Sequence, residues 1–147
     1  MNRDELDCVA ARMVLGLVGP EDLPRAANAA LDGGLDSPSL IALASADTSE
    51  AGLLFDRTLE ELKVLKPSRR EAVMRLARDA AAEIVGGTIA PYTGAKRIWD
   101  LTLRVPTVRI PELDPFIYAA SEWEERPEDR VHFERGIISE ARALMGR

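Results

Sequence analysis

Ser68-Arg69-Arg70-Glu71-Ala72-Val73-Met74-Arg75-Leu76-Ala77-Arg78-Asp79-Ala80-Ala81-Ala82-Glu83-Ile84-Val85-Gly86-Gly87 carries the signature of an α-helix from its first residue to its last. It opens with Ser and Glu three residues apart, the pattern in which each side chain satisfies the other residue's backbone N–H at a helix start. Val73, Leu76, Ala77, Ala80 and Ile84 then recur at three and four residues, the period of one helical face. Two glycines close it. The same grammar extends in both directions.

Upstream, Asn2 and Glu5 predict a capped helix from Arg3 to Val18, stopped by Gly19-Pro20, with Leu6, Val9, Met13 and Leu17 on one face. Asp22 is expected to cap a second helix, Leu23 to Leu31, and Gly33 to take the left-handed position after it. Ser37-Pro38 starts a short third helix carrying Leu40, Ile41, Leu43 and Ala44. Asp47 or Thr48 caps a fourth, striped by Ala51, Leu54, Phe55, Thr58, Leu59 and Leu62.

Downstream, a helix begins at Pro91 and carries Tyr92, Ala95, Ile98, Trp99 and Leu103. Pro106 and Pro111 forbid continuous helix around Val108 and Ile110, so an extended connector with one short strand is expected there. A seventh helix starts at Asp114-Pro115 and runs to Glu125, with Phe116, Ile117, Ala120 and Trp123 inward. An eighth starts near Pro127, carries Phe133, Ile137 and Leu144, and ends at Gly146. The expectation is all-α: an irregular bundle of seven or eight helices in a single domain over residues 1–147. Leu31–Asp36 and Ile84–Ile89 both read helix, double glycine, next element, but a solenoid takes three or more such units.

Composition narrows the function. Cys8 is the only cysteine among 147 residues, which excludes an internal disulfide and a Cys-based zinc site. Met1-Asn2-Arg3-Asp4-Glu5 places acids where a secretory signal needs a basic segment and an apolar run, and no stretch is apolar enough to span a bilayer; a cytoplasmic location is expected. Net charge is −6, which disfavours nucleic acid as the partner. Its distribution is uneven: −8 over residues 1–62, +6 over 63–109 and −4 over 110–147. One reading is mutual attraction within the fold; the other is a basic surface that meets a partner.

No catalytic, cofactor or metal motif is present, and no catalytic residue, cofactor or metal is assigned. The one histidine, His132, follows Asp129 by three residues, with Glu125 and Glu128 near. A di-iron bundle needs two Glu-x-x-His pairs, and a catalytic zinc takes more His or Cys than this. The double glycines lack a preceding strand and a following Lys-Ser or Lys-Thr, so they are no phosphate loop. Ser37 and Ser68 read as caps without a triad partner.

Three surfaces stay open. Arg69, Arg70, Arg75 and Arg78, with Lys96, Arg97 and Arg104, form basic faces on the fifth and sixth helices; Arg69, Arg70, Lys96 and Arg97 are the candidates for a nucleic-acid-associated regulator. Tyr92, Trp99 and Trp123 are the candidate lining of a small-molecule or enzyme pocket. The segment Asp114–Arg130 joins three aromatics to six acids, five of them near the helix end, and Tyr118, Glu122, Trp123, Glu124, Glu125 and Arg126 are the candidate protein-binding surface. Its alternative is structural: Phe116 and Trp123 as core, Tyr118 bonding a backbone group, the acids solvated.

Pro91-Tyr92-Thr93-Gly94-Ala95-Lys96-Arg97-Ile98-Trp99, Leu113-Asp114-Pro115-Phe116 and Ser121-Glu122-Trp123-Glu124 before Arg126-Pro127-Glu128 carry a resemblance. Over about residues 70–145 the chain looks like the C-terminal half of an uncharacterised family of small proteins from high-GC bacteria. That resemblance implies no catalytic residue. It implies an accessory or regulatory role, immunity proteins included. The function expected is therefore non-catalytic protein–protein interaction, with a second protein as partner, no membrane association, and homo-oligomerisation left open.

Overall fold

A computed structural model describes residues 1–146. Among them the chain is all-α: eight α-helices, three short 3₁₀ turns and no strand. The helices are α1 (Arg3–Val14), α2 (Leu23–Asp32), α3 (Pro38–Leu43), α4 (Thr48–Glu61), α5 (Arg69–Gly86), α6 (Pro91–Leu103), α7 (Asp114–Glu125) and α8 (Arg130–Met145). They fall into two compact units, Met1–Ala72 and Val73–Arg147.

In the first unit, local capping chemistry sets the helix starts. Asn2 Oδ1 accepts the Glu5 N–H at 2.9 Å, Ser37 Oγ the Leu40 N–H at 3.1 Å, and Asp47 Oδ1 the Glu50 N–H at 3.2 Å. Asp22 stands at the N-cap position of α2, but its side chain bonds no N–H of that helix. It lies in the 3₁₀ turn Pro20–Asp22 and accepts the N–H of Gly19 at 3.1 Å instead. Two stops also shift. Gly16, at φ 72°, ends α1 four residues before Val18, with Gly16 N–H bonding Met13 O and Leu17 N–H bonding Arg12 O. Gly34, not Gly33, takes the left-handed conformation after α2, at φ 97°.

Leu6, Val9, Leu23, Leu40, Leu43, Phe55 and Leu59 are buried together with Ala27 and Ala30 of α2 and Ala51 of α4. Leu54 and Leu62 of the expected α4 stripe are only half-buried; Thr58 is wholly buried and returns its hydroxyl to the Leu54 carbonyl at 2.7 Å. Asn28 ties α2 to the end of α3, donating to Pro24 O and Ala44 O. Glu61, closing α4, accepts the Ser39 N–H at 2.9 Å and its hydroxyl at 2.5 Å, so a carboxylate sits on the free donors of α3's first turn.

The box at the head of α5 forms as spaced: Ser68 N–H to Glu71 Oε1 and Glu71 N–H to Ser68 Oγ, both 3.1 Å. All five residues of its expected stripe are buried, and Gly87 at φ 76° ends it. In the second unit α6, α7 and α8 pack on one another. Ile98, Leu101, Leu113, Phe116, Ile137 and Leu144 are buried. Leu103 is 63% exposed and Leu101 takes the inward place, because Leu101 is three residues from Ile98 while Leu103 lies five away, off that face. Residues 104–110 form no strand; Val105 and Ile110 are buried and lead into the 3₁₀ turn Pro111–Leu113. A second such turn, Pro127–Asp129, precedes α8, which therefore begins at Arg130.

Candidate functional site

The second unit gathers its aromatics where α6, α7 and the start of α8 meet. The Tyr92 ring stacks on Trp123 with centroids 3.9 Å apart and planes 15° from parallel. The Arg130 guanidinium carbon lies 3.8 Å from the centre of the same indole. Two groups that close to one ring cannot share a face, so Trp123 is sandwiched between them. Its Nε1–H donates to Glu134 Oε2 at 3.1 Å. Arg130 also donates from Nε to the Trp123 carbonyl at 3.1 Å, filling an acceptor left free by the end of α7.

Trp123 is thus a half-buried clasp between three helices, with both faces and its polar edge engaged. The stack fills the space between Tyr92 and Trp123. Trp99, two turns of α6 beyond Tyr92, is half-buried under the Lys96 ammonium, 4.1 Å from its ring centre. The three aromatics expected to line one pocket are therefore divided into a stacked pair and a cation-covered third.

Tyr118 is placed differently. It is 61% exposed on α7, its ring edge-on to Phe133 of α8 with centroids 6.2 Å apart. Glu122 and Glu125 follow at four and seven residues, on the same helical face. Glu122 pairs with Arg126 at 3.0 Å; Glu124, Glu125 and Arg126 are exposed. Phe116, two residues before Tyr118, is fully buried. Of the six candidates for a protein-binding surface, Tyr118, Glu122 and Glu125 share one face of α7, Glu124 is exposed off that face, Arg126 follows the helix end, and Trp123 is the support behind.

The basic candidates are drawn into pairs. Arg97 donates to Glu83 at 2.5 Å, and Lys96 lies 3.7 Å from Asp100. Arg75 meets Asp79 at 3.5 Å. Arg69 and Arg70 are exposed in the first turn of α5 and also interact. His132 is exposed, its ring 5.1 Å from Phe133. Among the described residues no three of His, Cys, Asp and Glu are grouped to hold a metal ion, and no helix is long and apolar enough to cross a membrane. Cys8 is half-buried on α1.

The sequence reading missed the clasp. Tyr92, Trp123 and Arg130 are joined through packing across 31 and 7 residues of chain, beyond any helical repeat. No protein-family model, curated protein or solved structure matches the chain.

Proposed function

We propose that this chain is a non-catalytic protein-binding module, and that the Tyr118–Arg126 segment, on α7 and at its end, receives a cationic partner. One observation carries this reading: Tyr118 leaves 61% of its surface in solvent at the head of a helical face whose next two turns present Glu122 and Glu125. An exposed tyrosine brings contact area at low entropic cost, and flanking carboxylates steer and orient a basic surface. The Trp123 clasp fixes the helix that carries them, so little ordering is left to pay on binding. The net charge of −6 disfavours a nucleic-acid backbone as the partner.

A photo-crosslinking amino acid in place of Tyr118, in chain expressed in the organism that encodes it, tests this. A discrete adduct at that position, absent when the same group replaces the exposed Arg142 of α8, is expected. No adduct at position 118 counts against the reading.

A further inference from the structure

We infer that the chain self-associates through a second surface, the end of α4 and the turn after it, with a second copy of the same chain as occupant. The surface belongs wholly to the first unit. It holds an open hollow of about 490 Å³ whose floor is Leu59 and Val64. Leu65 stands at the edge of that hollow and is 90% exposed. A lone exposed leucine is ordinary. A leucine in solvent beside an unfilled apolar hollow is a knob beside a hole, which is what a two-fold contact requires of a single surface.

The rim has the same self-complementarity. Asp56 and Glu60 line it from the α4 side, Lys63 and Lys66 from the turn side. A two-fold axis lays each copy's acids against the other's lysines, whereas a foreign partner of one sign meets half the rim unfavourably. The Lys66–Asp56 pair within one copy, at 3.3 Å and largely exposed, is weak enough to be exchanged for one across the axis.

The backbone points the same way. Lys63 holds φ 58°, with its N–H bonded to Glu60 O, Val64 N–H bonded to Leu59 O, and its own carbonyl held by Arg3 at 3.0 Å. This left-handed position after a helix is ordinarily glycine's, and a lysine there costs roughly 1–2 kcal/mol. The turn accepts that strain and gains a cation on the rim. The seven residues that line the hollow are far fewer than the roughly 20–30 a side of a stable interface, so micromolar association is expected.

Sedimentation velocity on the full chain from about 1 to 200 µM tests this, with helicity followed in parallel. The native chain is expected to pass from monomer to dimer over that range. Leu65→Asp, at a site that bears little on the monomer's fold, raises the dissociation constant by about a hundredfold, because symmetry counts the leucine twice. Glu60→Lys weakens the dimer and Glu60→Lys with Lys63→Glu restores it, while Tyr118→Ala leaves it unchanged. A native chain that stays monomeric at 200 µM overturns the inference. So does a dimer indifferent to Leu65→Asp, or a double charge swap that fails to restore it.

Discussion

Arg130 grips Trp123 twice, its guanidinium 3.8 Å from the centre of the indole and its Nε donating to the Trp123 carbonyl at 3.1 Å. One arginine at the first residue of α8 thereby ends α7 and packs its last large side chain. Cation–π attraction is worth about 0.5–2 kcal/mol according to desolvation, and a cation at a helix C-terminus adds to it.

Trp123→Ala removes the Tyr92 stack, the Arg130 contact and the Glu134 hydrogen bond together. The expected loss is about 3 kcal/mol of unfolding free energy, at the low end for a Trp truncation because the ring is half-buried. Trp123→Phe keeps the stack and gives up the Nε1–H donor, for about 1 kcal/mol. Urea unfolding followed by circular dichroism separates the two.

Gly94 and Gly52 separate packing from helix propensity. A Cβ on Gly94 meets Ile84 Cδ1 at 2.5 Å and Ile89 Cδ1 at 2.9 Å, whereas one on Gly52 or Gly136 meets nothing within 4 Å. Gly52→Ala and Gly136→Ala should each stabilise by about 0.5–1 kcal/mol. Gly94→Ala should destabilise by about 1–3 kcal/mol despite the same gain in propensity, because α6 must move off α5. Thermal melts of the three variants give the sign directly.

What was legible in the sequence follows from how local each signal is. The caps at Asn2, Ser37, Asp47 and Ser68 each span three residues, and all four form. Helix ends were harder. Gly34 takes the left-handed position in place of Gly33, since adjacent glycines are equally free to do so and packing chooses, and Gly16 stops α1 ahead of Gly19-Pro20. Lys63 had no signal at all, because its φ is imposed on a residue that disfavours it. Leu103 was misplaced by following Trp99, when Ile98 and Leu101 mark the buried face of α6. At the candidate site, Tyr118 and its acids were visible as a local cluster. The Trp123 clasp was not, because it depends on how three helices meet.

Acid weakens the fold through three carboxylates. The Ser39 hydroxyl, and then its N–H, hold Glu61 below the usual carboxylate range; the Ser68 N–H and hydroxyl do so for Glu71; the Ser49 hydroxyl and Glu50 N–H do so for Asp47. A pKa lower in the folded chain means stability that is fully present above the unfolded value, near 4, and lost as pH falls through the folded one. Stability should be level from about pH 7 to 5 and decline below about pH 4. Glu61→Gln should shallow that decline while lowering stability at neutral pH. A Glu61→Gln acid limb as steep as the native one would show that Glu61 does not contribute to the decline.

The Tyr118–Arg126 segment, on α7 and at its end, is proposed to hold a protein partner. The test is native mass spectrometry on tagged chain purified gently from its own host, native beside Glu124→Lys with Glu125→Lys. The native chain should carry a second protein in stoichiometric amount, and the charge-reversed chain should lose it with helicity unchanged. A partner retained by the charge-reversed chain, or a native chain that carries no second protein, would contradict it.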